Sequence, residues 1–94
     1  EENEILREAA AHYGFRNQLL KLIEELGELS REAVKMLLGE GNKEHFAEEY
    51  ADVEILLDQM AFFMPLYPLR MQKYREQKIE RLKQRIEKEG GGEL

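Results

Sequence analysis

Residues 15–38, FRNQLLKLIEELGELSREAVKMLL, contain the pattern that decides the fold. Apolar side chains recur in this stretch at spacings of three and four residues, which places them on one face of an α-helix. They are Leu19, Leu22, Ile23, Leu26, Leu29, Ala33, Met36 and Leu37. The following residues, Gly39-Glu40-Gly41-Asn42, interrupt the pattern. We therefore expect this helix to run from about Phe15 to Leu38.

The same periodicity continues downstream. Apolar residues at helical spacing predict a helix from about Lys43 to Met64, and Asn42 is a suitable N-cap for it. The segment PLYP at residues 65–68 contains both prolines of the chain and predicts a turn. Beyond it, a thinner apolar stripe in a strongly charged segment predicts a helix from about Leu69 to Lys88.

Upstream, a short helix from about Glu2 to His12 is expected to end near Gly14, since glycine commonly follows the last turn of a helix. The sequence thus predicts an all-α protein, a small bundle of about four helices. Residues 1–89 would form a single helical domain, and residues 90–94 a flexible glycine-rich tail. A domain of this size buries a limited core, so we expect a homo-oligomer, either a homodimer or a homotetramer.

The composition of the chain argues against several classes of function. The chain has 94 residues, a formal net charge of −6, and 36% charged residues against 43% hydrophobic ones. The negative balance argues against a nucleic acid polymer as partner, because binding the phosphate backbone requires an extended basic surface. The absence of cysteine excludes disulfides and thiolate metal sites. We see no membrane-spanning stretch and no signal peptide, so no membrane partner is predicted and a cytoplasmic location is expected.

Two acidic pairs are the main candidate for a functional site. Glu25 and Glu28 lie three residues apart on the second predicted helix, and Glu49 and Asp52 on the third. Residues at this spacing are neighbours on one helix face. If the two helices pack antiparallel with these faces inward, four carboxylates converge, and oxygen ligands of this kind suit Mg²⁺ or Mn²⁺.

Two other interpretations of the acidic pairs must be weighed. The carboxylates could form a merely solvated, charged helix face in a non-catalytic oligomerisation or partner-binding module. A ferritin-like di-iron bundle also gathers carboxylates from facing helices, but that site uses Glu-x-x-His pairs. No histidine follows Glu25 or Glu49 by three residues, which argues against iron.

The segment Glu24-Glu25-Leu26-Gly27-Glu28-Leu29, followed by Glu49-Tyr50-Ala51-Asp52, resembles the paired EExxE and ExxD motifs of the MazG-like, all-α nucleoside triphosphate pyrophosphohydrolases. The resemblance extends over roughly Tyr13 to Gln59. It includes the aromatic-glycine step at Tyr13-Gly14 and a glutamine, Gln18, before the first motif.

This resemblance implies a function and a ligand set. It makes Glu25, Glu28, Glu49 and Asp52 the ligands of Mg²⁺ or Mn²⁺. Glu24, which points about 100° away, is expected either to support these ligands or to be a solvated helix residue. The implied reaction is hydrolysis of a nucleoside triphosphate, ribo or deoxy, between its α and β phosphates to a monophosphate and pyrophosphate. Family membership would also imply a house-cleaning role in the nucleotide pool.

Other side chains are candidates for substrate contacts. Gln18 lies seven residues before Glu25 and shares its azimuth, so its amide is expected either to bind a base or sugar or to make a structural polar contact. Glu32 follows Glu25 by seven residues and is expected to be a solvated glutamate. On the last helix, Lys78, Arg81 and Arg85 share one face, which is expected either to bind phosphates or to form salt bridges with interleaved glutamates.

Overall fold

We analysed a computed structural model of the chain, which describes residues 1–90. These residues form three helices and no strand: α1 spans Glu2–Leu37, α2 spans Lys43–Ala61 and α3 spans Pro68–Lys88. The all-α prediction is confirmed for this part of the chain. The tail predicted for residues 90–94 lies, apart from Gly90, outside the described residues.

The predicted break near Gly14 is present inside α1. Gly14 has φ 81° and ψ 163°, which is not helical, so α1 consists of two helical segments joined at this residue. Residues other than glycine rarely adopt this backbone conformation. The first two helices of the sequence prediction therefore correspond to the two segments of α1.

The α1–α2 connection also follows the sequence signals. Gly39 adopts a positive φ of 76° directly after the helix. The Oδ1 atom of Asn42 accepts a hydrogen bond of 2.9 Å from the backbone N–H of His45, which confirms Asn42 as the N-cap of α2. At its other end α2 stops at Ala61, three residues before the predicted Met64. Pro65 explains this difference, because its ring would clash with the carbonyl of Ala61 in a continuous helix.

The chain divides into two compact units, Glu1–Phe63 and a second unit that begins at Met64. In the first unit, α1 packs against α2. Its buried side chains are few; they are Leu6, Ala10, Gln18, Val53, Leu56 and Met60. The rings of Phe15 and Phe63 meet edge to face, with 5.2 Å between their centroids. The core of this unit is correspondingly small.

The second unit contains α3, whose first residue is Pro68. Proline suits the first turn of a helix, because its fixed φ is helical and its missing N–H has no partner there. None of the residues Pro68–Lys88 is buried. Within residues 1–90, no helix combines the length and the apolar composition needed to cross a bilayer.

Candidate metal centre

Three of the predicted ligands converge between α1 and α2. Glu25, Glu49 and Asp52 can each present one carboxylate oxygen such that these atoms all lie within 4.8 Å of one another. Phe15 meets Phe63 and, further along α1, Glu25 meets Glu49 and Asp52, so the residue numbers rise on one helix as they fall on the other. The two helices are therefore antiparallel, as the convergence of the acidic pairs requires. We refer to these three residues as the acidic cluster.

Glu49 is the residue of the acidic cluster whose negative charge is most clearly disfavoured by its surroundings. Burial raises the pKa of its carboxyl group, and the negative charges of Asp52, Glu25 and Glu28 raise it further. Its Oε2 atom is buried and has no hydrogen-bond partner. A buried, unpartnered carboxylate oxygen is costly unless a proton or a cation satisfies it. The position of Glu49 therefore suits a cation ligand.

Lys21 is a member of the site that the sequence interpretation missed. Its Nζ atom lies 3.3 Å from Oε1 of Glu25 and 3.4 Å from Oε1 of Glu24. The hydrogen bond to Glu25, followed by the charge of Glu24, raises the pKa of Lys21. Lys21 also lines a shallow depression together with Glu25 and Asp52. The spacing Lys21-x-x-x-Glu25 is a recognisable helix ion pair and was the signal available in the sequence.

Glu28, the fourth predicted ligand, lies outside the acidic cluster. Its Oε1 atom is 3.5 Å from the guanidinium of Arg31, and its side chain is 41% exposed. Glu28 nevertheless lies near enough to contribute to the raised pKa of Glu49. Its role as a ligand stays a prediction that requires the side chain to turn away from Arg31.

The supporting residues on α1 occupy contrasting environments. The Glu24 side chain is 60% exposed and contacts Lys21 at the surface. Gln18 is only 3% exposed, and its Oε1 atom is buried without a partner. The expectation that Glu32 is solvated is wrong: its side chain is 13% exposed, it contacts Lys35 at 3.4 Å, and its Oε2 atom is buried. Gln18 and Glu32 each lie seven residues from Glu25 and therefore project from the same side of α1, which faces α2. This position accounts for their burial.

Lys78, Arg81 and Arg85 lie on α3, in the second unit, and are exposed. Lys78 lines a shallow surface depression with Tyr74 and Ile79, which are on the same helix. Across the described residues, the ion pairs of the structure all lie on α1. The salt-bridge interpretation of this basic face, which pairs it with neighbouring glutamates, thus has no ion pair to support it.

The chain was compared with protein-family models, with curated proteins and with solved structures, and none of them matches. Its function is therefore inferred from its own residues and their geometry.

Proposed function

We propose that the protein is a nucleoside triphosphate pyrophosphohydrolase that depends on a divalent metal, of the MazG-like type that its motifs resemble. The observation that carries the proposal is the convergence of carboxylate oxygens from Glu25, Glu49 and Asp52 within 4.8 Å. These residues come from both halves of the paired motif. An accidental acidic surface would not require both halves to meet at one point.

The donor set fits a hard cation. Carboxylate oxygens suit Mg²⁺ and Mn²⁺ and are poor ligands for softer metals. Glu25, Glu49 and Asp52 would hold the ion, and Glu28 would join them after a rotamer change. Bound there, the ion would supply positive charge to the phosphate oxygens and to a water nucleophile.

The chain's own residues then bind and orient the substrate. Asp52 is exposed and leaves the cluster open on one side, whereas Glu25 and Glu49 are half-buried. Lys21, at the rim, places an ammonium group where a triphosphate would approach. We assign a phosphate-binding role to Lys78, Arg81 and Arg85, since lysine and arginine side chains donate to phosphate oxygens.

Gln18 is the candidate for recognition of the base or sugar. Its burial, at 3% exposed, restricts access to substrate, because a nucleotide could reach the amide only if α1 and α2 separated locally. An internal polar contact is the alternative, although its Oε1 atom has no hydrogen-bond partner. Conservative replacement by Glu would distinguish the two roles. A change in base preference would indicate substrate contact, and a loss of stability alone would indicate a structural one.

The proposal includes self-association and a cytoplasmic, pool-cleaning role. A homodimer or a homotetramer would cover apolar side chains that one chain leaves about half exposed, including Ile23, Leu26 and Tyr50. The nucleotide substrates implied by the resemblance are found in the cytoplasm. We expect Mg²⁺ to serve there and Mn²⁺ to substitute for it in vitro.

One observation favours a second candidate function. Lys21 already lies 3.3 Å from Glu25, and Arg31 lies 3.5 Å from Glu28, so part of the acidic surface is ion-paired without any metal. A non-catalytic helical oligomerisation or partner-binding module with an acidic face would show the same pairs. Such a module would bind neither metal nor triphosphate specifically.

Pyrophosphate release distinguishes these candidates. The full chain is incubated with a panel of standard and modified nucleoside triphosphates, with Mg²⁺, with Mn²⁺ and with chelator, and the nucleotide product is identified. Metal-dependent formation of the monophosphate would support the hydrolase function, provided that Glu49→Gln abolishes this activity and Glu48→Gln retains it. Glu48 is the matched control, because it is the adjacent, exposed glutamate of α2. Silence across the panel, with no thermal stabilisation by metal, would favour the non-catalytic module.

A further inference from the structure

α3 has an amphipathic surface that is unusual in its charge distribution. Five of its apolar side chains share one helix face and are 39–53% exposed. They are Met71, Tyr74, Ile79, Leu82 and Ile86. At 100° per residue, Arg75 and Lys78 project from the same face, whereas Glu76, Glu80 and Glu87 project from the opposite side. We call the apolar residues together with Arg75 and Lys78 the α3 face.

A second exposed apolar surface lies on the α1–α2 pair. It consists of side chains that are 37–66% exposed and that we call the apolar flank. They are Leu19, Ile23, Leu26, Tyr50 and Leu57. On each helix these residues are rotated about the helix axis by roughly 100° from the positions that face the other helix. Viewed along each helix from its N-terminus to its C-terminus, the direction of this rotation is the same for α1 and α2. Because α1 and α2 are antiparallel, that shared direction puts both sets on the same side of the pair.

The apolar flank lies on the side away from the acidic cluster. Lys21 and Asp52 line the depression at the cluster. On its own helix, each of them is rotated about the helix axis away from the α1–α2 contact in the direction opposite to the residues of the flank. The neighbours of the flank on α2 are two exposed carboxylates, Glu54 and Asp58. The flank thus presents an apolar surface with an acidic edge, whereas the α3 face presents an apolar surface with basic groups.

Charge determines which occupant fits the α3 face. α3 has eight basic and three acidic side chains, a net charge of +5, whereas α2 has one basic and six acidic ones, a net charge of −5. Two α3 faces packed together would gather Arg75 and Lys78 of both copies in one interface to which the α3 face brings no carboxylate, and like charges in an interface are costly. An amphipathic helix such as α3 also gains most of its stability from the packing of its apolar face.

We propose that the α3 face binds the apolar flank of a second copy of the chain, reciprocally, with Arg75 beside Glu54 and Asp58. The interaction would bury the two half-exposed apolar surfaces against each other and pair their opposite charges. It does not rest on the hydrolase activity. Of the basic side chains of α3, the charge pairing requires only Arg75, which leaves Lys78, Arg81 and Arg85 to the phosphate role.

Sedimentation velocity of the full chain over a concentration series tests the proposal. The parent chain should be a dimer that dissociates as salt is raised. Leu82→Glu should raise the dissociation constant roughly 100-fold or more, because it places a carboxylate in the apolar contact. Gln84→Glu adds the same charge on the far side of α3 and is the matched control, expected to remain dimeric. A monomeric parent, or a dimer indifferent to Leu82→Glu, would overturn the proposal.

A charge exchange identifies the partner surface even if a single variant loses structure. Arg75→Glu and the double variant Glu54→Arg with Asp58→Arg should each weaken self-association, since each homodimer then contains two mismatched contacts. Mixed one to one, they should form a heterodimer, in which one contact has exchanged charges and the other is the original. Failure to form this heterodimer would overturn the assignment of the flank. So would a monomer that cosediments with anionic phospholipid vesicles, which would make a membrane surface the occupant.

Discussion

The two units of the chain differ in charge and in the source of their stability. Residues Glu1–Phe63 have fifteen acidic and six basic side chains, a net charge of −9, and contain all the buried side chains of residues 1–90. α3 has a net charge of +5 and no buried residue. In the first unit, carboxylates converge beside a small core of buried side chains. The second unit contains a helix with an apolar face that is about half exposed. If the proposals above hold, function and stability compete in the first unit, whereas self-association determines the stability of the second.

Replacing Glu49 by Gln tests the functional part of this comparison and should have the largest effect. Loss of the charged ligand, with almost no change in volume, should reduce turnover at least about 100-fold. The same change should raise the melting temperature of the metal-free protein at neutral pH, because it removes a buried charge from among other carboxylates. Activity assays and thermal melts with chelator measure both effects. Retained turnover would remove Glu49 from the site.

Truncation of leucines compares the two units directly. Leu56 is 6% exposed and Leu82 is 49% exposed. Leu56→Ala should lower the free energy of unfolding by about 2–5 kcal/mol through lost burial and a residual cavity. Leu82→Ala, measured at a concentration too low for self-association, should change it by only about 0.5 kcal/mol. Chemical denaturation measures both values, and equal losses would contradict the assignment of the core to the first unit.

Gly14→Ala should have a smaller effect on stability. The backbone of Gly14 has φ 81° and ψ 163°, and an added Cβ would meet no atom within 4 Å, so the cost would come from the backbone alone. Conformations of this kind cost about 1–3 kcal/mol in residues other than glycine. Denaturation of the variant measures the loss. An unchanged stability would mean that the two segments of α1 straighten without penalty.

The pH dependence of stability should give the smallest effect. Folding raises the pKa of Glu49 above its ordinary value of 4.5, so the folded state binds this proton more tightly than the unfolded state. The stabilising contribution of the proton is fully present below that value and is lost as the pH rises through the raised pKa. The metal-free parent should therefore lose stability relative to Glu49→Gln between acid and neutral pH. A difference that stays constant with pH would contradict the raised pKa.

Much of the fold could be predicted from local signals in the sequence. Apolar spacing predicted the helices, Gly14 the break in α1, and Asn42 the cap of α2. The end of α2 was placed three residues late, because periodicity alone did not register the clash that Pro65 would cause with the carbonyl of Ala61. Boundaries of this kind depend on backbone sterics that apolar spacing does not contain.

The candidate site was harder to predict, because side-chain direction depends on neighbours. Spacing brought Glu25 and Glu49 together correctly, but it could not show that Glu28 would turn towards Arg31. Glu32 was expected in solvent, whereas its azimuth faces α2 and one of its oxygens is buried. Lys21 was passed over, although its spacing from Glu25 permits an ion pair. These outcomes depend on rotamers and on the packing of two helices.

In the proposed site, Glu25, Glu49 and Asp52 hold a hard divalent cation beside a triphosphate. The most direct test is Mn²⁺ binding, followed by electron paramagnetic resonance, with a non-hydrolysable α,β-methylene nucleoside triphosphate present. The parent and Glu48→Gln should bind Mn²⁺, Mg²⁺ should displace it, and Glu49→Gln should bind it much more weakly. Equal binding by Glu49→Gln and the parent, or no binding beyond that of the nucleotide alone, would contradict the claim.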